Sequence, residues 1–398
     1  MKTLLFILSL LFIFFPIKKV NKTKNEILHE QVNKVSENQH FVIDIDKNYP
    51  RKEINIYEIA DIEYLPLETK PDFFTNGLIS YLDNDLLVFT ESRSGDVLFF
   101  NREGVALRKF NHKGSGPNEY PTNSATVVYD KSRNEIYINS YSIRKIFVYG
   151  IDGTFHRSLP YFNNKLNFSY IISTDKYLLC CDHFLFNKGN TFYLVSKTDG
   201  KLVSEIPYYI VQKVYNYKKT LISLGNNMGT NQYTTLFDYL PMYETDFGVM
   251  LSEISNDTIF LLNKEHKKIA KVVREPGINS INGQNKVLVS EFITNKYHFL
   301  SSYKLESGKD NKYRHKYLMI DLKSGEISEP SFYNDRDYTT KKEAHIGGQL
   351  FPGMMVSPRL PLLLIEANKK GELKGNLKEI TERLGENDNP FLRITKFK

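Results

Sequence analysis

Apolar and polar positions along this chain repeat one figure. An aromatic or aliphatic run is followed by a short polar turn, often closed by glycine, and then by a second run. Residues 96–110 read DVLFFNREGVALRKF, 145–159 read KIFVYGIDGTFHRSL, and 191–206 read TFYLVSKTDGKLVSEI. Residues 258–272 read TIFLLNKEHKKIAKV, with His266 where the glycine would be; 316–328 read KYLMIDLKSGEIS and 361–373 read PLLLIEANKKGEL. These six copies recur at a period of roughly 45 to 65 residues, the spacing of propeller blades. Each predicts a hairpin. Pairs such as Asp152-Gly153 and Asp199-Gly200 supply the positive φ of a tight turn, and the flanks carry β-branched and aromatic residues.

Further strands precede the hairpins: 86–91 (LLVFTE) before the first, 125–130 (ATVVYD) and 135–141 (EIYINSY) before the second, 168–174 (FSYIIST) and 176–182 (KYLLCCD) before the third. The unit is strand, strand, strand, turn, strand. An isolated hairpin is marginal in water, whereas radially stacked four-stranded sheets bury both faces and leave short edges. The fold class predicted is all-β, a six-bladed β-propeller of four-stranded antiparallel blades. The ends fit closure. Residues 41–45 (FVIDI) and 62–67 (IEYLPL) are strand-like at the start and 391–397 (FLRITKF) at the finish, and strands from both termini in one blade remove the open edge. One short helix is predicted at 376–385 (NLKEITERLG), beside the closing blade. Residues 211–238, containing Gly225-Asn226-Asn227-Met228-Gly229, read as a long loop on one face.

The first residues are MKTLLFILSLLFIFFP. Lys2 followed by an apolar run over 4–15 has the form of an export signal and is short for a membrane span. Residues 1–20 are therefore expected to be a signal peptide or an N-terminal anchor, 21–40 a polar tether, and 41–398 the propeller. No cysteine follows the apolar run, so no lipid anchor is expected; membrane contact would come only through the N-terminal segment, if uncleaved. The expected location is the periplasm or envelope of a Gram-negative-type bacterium. Composition adds little: Tyr 26, Phe 27 and Trp 0 lean toward strands. The net charge of +7 owes much to Lys18, Lys19, Lys22 and Lys24, and no basic block points to nucleic acid. Cys180 and Cys181 are adjacent, so in a strand they face opposite ways, one to the core and one outward, and neither a disulfide framework nor a zinc site is expected.

Three segments together resemble a known group: IEYLPLET at 62–69, GSGPNEY at 114–120 and NDNPFLRITKFK at 387–398. The chain resembles the exported bacterial six-bladed β-propellers of unassigned function, akin to the NHL-repeat propellers, over nearly its whole length after the tether. The resemblance implies fold and envelope location, and no activity.

Candidate chemistry is sparse. In Gly114-Ser115-Gly116-Pro117-Asn118-Glu119-Tyr120 the glycines tighten the backbone, Pro117 stiffens it and Tyr120 offers an amphipathic anchor. It reads either as a ligand loop or as a crossover between blades pinned by Glu119 and Tyr120; no phosphate-binding pattern follows it. Arg93, Arg144 and His183 stand at corresponding turns of successive blades and are candidates for a polar ring around a ligand at the axis, against which stand solvated turns or salt bridges. The nine histidines follow no ligand spacing, so no metal is expected; neither a cofactor motif nor a serine nucleophile elbow is found. The expected function is a non-catalytic binding or scaffolding propeller that recognises a protein partner or small ligand through the loops of one face. The alternative is an enzyme acting on a glycan or peptide at the axis. A shallow or blocked channel with an exposed aromatic patch would favour the first, and a deep pocket with perturbed carboxylates or histidines the second.

Overall fold

Strand follows strand because runs such as Leu86–Thr90 (LLVFT) and Val97–Asn101 (VLFFN) are apolar on both sides. A strand that alternates has one wet face; a near-continuous apolar run has two faces to bury. The computed structural model describes residues 40–398 except 77, 122–125, 183–190, 209, 211–213, 215–216, 225–227, 236, 282, 284 and 306–314, and only the backbone between 217 and 235.

The chain enters through β1 (Phe41–Asp44), β2 (Arg51–Asn55) and β3 (Ala60–Leu65). Blade 1 follows as β4 (Leu78–Leu82), β5 (Leu86–Thr90), β6 (Val97–Asn101) and β7 (Ala106–Phe110); blade 2 as β8 (Val127–Asp130), β9 (Glu135–Ser140), β10 (Lys145–Gly150) and β11 (Phe155–Pro160). Blade 3 is β12 (Tyr170–Ser173), β13 (Tyr177–Cys181), β14 (Phe192–Ser196) and β15 (Leu202–Ile206). The hairpin β16 (Tyr217–Leu224) and β17 (Met228–Thr235) comes next. Blade 4 is β18 (Met242–Thr245), β19 (Gly248–Leu251), β20 (Thr258–Asn263) and β21 (Lys268–Glu275). Blade 5 is β22 (Lys286–Ile293), β23 (Tyr297–Lys304), β24 (His315–Asp321) and β25 (Ile327–Asn334), with β26 (Lys342–Glu343) on its edge. Blade 6 is β27 (Gln349–Phe351), β28 (Met354–Arg359), β29 (Phe391–Phe397) and, from the other end of the chain, β3. The fold is a six-bladed propeller of four-stranded antiparallel sheets.

Closure uses both termini in one blade: Ala60 pairs with Phe397 and Leu65 with Leu392. The strands before it extend the device. β1 lies parallel to β21 as a fifth strand of blade 4, Phe41 against Val272, and β2 parallel to β25 of blade 5, Arg51 against Glu329. The incoming chain thus straps the outer edges of blades 4, 5 and 6 in succession, covering strand edges that would otherwise offer unpaired N–H and C=O groups.

The glycine turns lock each blade to the one before it. Gly104, Gly153 and Gly200 have φ of +81°, +87° and +74°. A Cβ at Gly104 would fall 2.1 Å from the carbonyl oxygen of Pro66, at the end of β3, and one at Gly200 would fall 2.5 Å from that of Pro160, at the end of β11. His266 does occupy the equivalent turn of blade 4, in the left-handed region at φ +61°. Buried charge adds to the lock between blades 2 and 3. Lys197 Nζ, with no exposed side-chain surface, meets Asp130 Oδ2 at 2.5 Å and also donates to the Thr174 carbonyl. Arg157 grips Glu135 with both terminal nitrogens and reaches the Lys197 carbonyl. Burial works against ionising Glu135, but the bonds from Arg157, Tyr137 and His156 prevail and hold it at about 2.

Three expectations are corrected. Residues 361–373 are not a hairpin: Pro361–Lys369 is a helix, joined by a turn to a second helix, Gly375–Thr381. An apolar run of LLLI reads equally as strand or helix, and Pro361 at the first helical turn, followed by Leu, Glu, Ala and Lys, decides for helix. The second helix is the one expected near the closing blade, and both lie between β28 and β29. Residues 211–238 are not one long loop, since they contain the hairpin of β16 and β17. Neither cysteine faces outward: both are buried thiols outside any disulfide, Cys180 in the core shared by blades 2 and 3, Cys181 in that shared by blades 3 and 4. Opposite faces of a propeller blade are both interior.

Candidate functional site

Inner strands of propeller blades have neighbours on either side and an axis in front. Here β4, β8, β12, β18 and β27 surround a cavity of about 1590 Å³. No described residue of blade 5 lines it; β18 packs beside β27, and blade 5 stands back from the axis. Its inner strand bulges between Ser290 and Phe292, and Ser290 is held from the side: its N–H donates to Ser252 Oγ, and its Oγ bonds Tyr243 Oη at 2.6 Å and His298 Nε2 at 2.7 Å. Tyr243 lines the cavity, so a hydrogen-bonded chain runs from the cavity wall into blade 5. His298 lies in the core, and its burial, with the field of Lys271, lowers its pKa to about 3.

The inner strands start at one end of the cavity and finish at the other, and the two ends differ in chemistry. At the starting end, Asn76, Glu91 and Arg93 line the mouth. Glu91 Oε1 accepts from Thr75 Oγ1 (2.6 Å) and from the Asn76 N–H (2.8 Å). Arg93 is exposed; its carbonyl takes a hydrogen bond from Lys113 Nζ, while its guanidinium has no hydrogen-bond or ion-pair partner among the described residues. At the finishing end lie Tyr81, Asp83 and Glu244. Asp83 is fully engaged: Lys131 Nζ (2.5 Å) and Tyr81 Oη (2.8 Å) donate to one oxygen, the N–H groups of Asp85 (2.8 Å) and Leu86 (2.9 Å) to the other. Burial opposes its charge, but these donors outweigh burial and lower its pKa.

Glu244 is the exception. It is the one residue of β18 that keeps solvent-accessible surface, the rest of the strand being buried. That surface faces the cavity, while protein encloses it on other sides. No side chain or N–H of the described residues bonds its carboxylate. Burial pushes its pKa up to about 7, with Lys197 pulling against the rise.

Of the residues singled out in the sequence, Arg93 stands at the cavity mouth. Arg144, in the corresponding turn of blade 2, is exposed at φ +52° and does not line the cavity; Tyr141 of the same turn does. His183 lies outside the described residues. The 114–120 loop folds onto itself and its neighbours. Gly116 N–H donates to Glu119 Oε2 (2.8 Å), Tyr120 Oη donates to the Gly95 carbonyl (2.6 Å), and Tyr149 Oη donates to the Asn118 carbonyl (2.6 Å). A Cβ at Gly114 would meet Glu119 Oε2 at 1.9 Å, and Tyr120 is fully buried among blades 1 and 2. Pro117 is exposed. This loop does not line the cavity. The sequence reading missed Tyr81, Asp83 and Glu244. Its only signal for Glu244 was one acidic residue in a four-residue strand, MYET. Among the described residues no group of three or more His, Cys, Asp or Glu is placed to hold a metal ion.

The crystal structure of a candidate exported protein of Bacteroides fragilis NCTC 9343 superposes with a TM-score of 0.60 at 17% identity, covering 90% of this chain and 99% of that one. A member of the DUF4221 family from Bacteroides vulgatus ATCC 8482 gives 0.44 at 12% identity, over 85% and 97% of the two chains. The first supports the fold; the second is too distant to carry an argument. No curated protein matches the sequence. Residues 40–396 match the family model described as a domain of unknown function, DUF4934, and the chain, a six-bladed propeller throughout that span, belongs to that family.

Proposed function

We propose that this propeller is a non-catalytic binding module of the bacterial envelope that takes a small ligand in its axial cavity. The observation that carries the reading is the cavity itself: about 1590 Å³, walled by five inner strands, with an apolar body and hydrogen-bonding groups at both ends. Concave, mostly apolar sites with a few placed polar groups are the usual form of a small-molecule site. Envelope location is supported by the apolar segment at 4–15 and by the description of the Bacteroides fragilis structure as a candidate exported protein.

The test fills the cavity. Ser80 and Val128 both line it, and Ser80→Phe and Val128→Phe are made separately. Each protein is incubated with the small-molecule fraction of an envelope extract, desalted and analysed by mass spectrometry. The wild type should retain a compound that both filled variants lose. Equal retention by all three would place binding elsewhere and refute the reading.

A second reading, an enzyme acting on a peptide or glycan at the axis, meets the criterion of a deep pocket with a perturbed carboxyl, since burial pushes Glu244 up to about 7, where general acids and bases work. Binding is preferred because Asp83, the other carboxylate at that end, is already engaged by Lys131, Tyr81 and two N–H groups and leaves Glu244 without a catalytic partner. Turnover of the retained compound, abolished by Glu244→Gln, would transfer the assignment to this reading.

A further inference from the structure

Two charged side chains of the cavity, Glu244 and Arg93, have no hydrogen-bond or ion-pair partner among the described residues, and they stand at opposite ends. Glu244 is at the finishing end of the inner strands, with Tyr81 and the already neutralised Asp83. Arg93 is at the starting end, where Glu91 is already occupied by Thr75 and Asn76. Buried charged groups elsewhere are held by an opposite charge or by several donors, as Lys197 with Asp130 and Asp337 with Tyr57, Tyr64 and Asn334 show. A carboxylate turned into a cavity without a protein donor has both oxygens free to accept from a ligand, and a charge-assisted hydrogen bond is the strongest contact it can make there.

The length of the cavity wall sets what fits along it. The inner strand β4 has five residues, Leu78–Leu82, and rises about 16 Å at ~3.3 Å per residue. An extended chain of about four residues spans ~13–14 Å. Resting on the binding reading above, we infer that the cavity takes a short zwitterionic chain, an oligopeptide of about four residues, its ammonium group on Glu244 and its carboxylate on Arg93. The wall of the cavity offers the partly exposed Val128, Ile172 and Leu350, which suit small apolar side chains and do not select among them. A guanidinium binds a carboxylate in two parallel hydrogen bonds, and both end contacts are charge-assisted.

The test uses tetra-alanine as probe, with free ends, N-acetylated, or C-amidated, titrated by calorimetry into wild type, Glu244→Gln and Arg93→Gln. The free peptide should bind the wild type, and acetylation should weaken it at least tenfold. Glu244→Gln should lose the same factor for the free peptide and become indifferent to acetylation. Arg93→Gln should behave likewise toward amidation. The inference is overturned if the wild type ignores both blocks, if each variant still distinguishes its blocked peptide, or if the wild type does not bind tetra-alanine at all. In that last case, continued retention of an extract compound that Ser80→Phe and Val128→Phe lose would leave the cavity as a binding site for a different chemistry.

Discussion

Glu244 gives the cavity a measurable signature at the scale of one residue. Its folded pKa is near 7 against an ordinary 4.5. Below the ordinary value both folded and unfolded chains carry the proton, and the residue is neutral to stability. Between that value and about 7 the unfolded chain ionises while the folded one does not, so stability falls as pH rises; above 7 the loss is constant. Because the side chain keeps access to water in the cavity, the loss is discounted to about 1 kcal/mol. Glu244→Gln is therefore expected to match wild type in urea unfolding at pH 4 and to exceed it by about that amount at pH 8. A constant difference across the range would mean that the carboxyl is not shifted. Comparing the two proteins also cancels His298, whose lowered pKa acts in the opposite sense, reducing stability as pH falls below about 6.5.

Between strands, glycine is required where a blade meets the end of its neighbour's outer strand. Gly200→Ala combines a left-handed backbone with a Cβ 2.5 Å from the Pro160 carbonyl. Its expected loss is about 2–3 kcal/mol, from left-handed strain plus displacement of the neighbouring blade. Gly325→Ala has φ +77° but no atom nearer than 3.8 Å, and should lose only the strain, about 1 kcal/mol. Equal losses in thermal melts would contradict the docking role. This is also where the sequence was most legible. Turn chemistry is local, so Asp152-Gly153 and Asp199-Gly200 announced their hairpins, and His266 could be placed in a glycine's position before its φ was known. Legibility failed where local pattern is ambiguous or absent. The LLLI run of the sixth copy suits helix and strand alike. β2 (RKEIN) is charged because it is an outer edge, and gives no apolar signal. The cavity was legible only through Arg93, whose turn position repeats from blade to blade. Glu244 acquires its character from burial between blades, which raises its pKa against the pull of Lys197 of blade 3, and that enclosure is built by residues far away in sequence.

As a whole molecule, the propeller depends on contacts between its two ends. β3 supplies the outer strand of blade 6, with Leu65 on the same core as Leu392 and Ile394. β1 and β2 only add to blades already complete. A chain beginning at residue 51 is accordingly expected to remain folded with a lowered Tm, while one beginning at residue 70 should lose the cooperative transition, since blade 6 then has three strands and an open edge. If the shorter chain melts as sharply as the longer, ring closure does not rest on β3. The cavity is a property of this closed ring, because its walls come from five blades and no blade alone encloses it. The most direct measurement is therefore a crystal structure of the propeller after incubation with the small-molecule fraction of an envelope extract. The account predicts ligand density along the axis, touching Glu244. An empty axial cavity, with density elsewhere on the propeller, would contradict it.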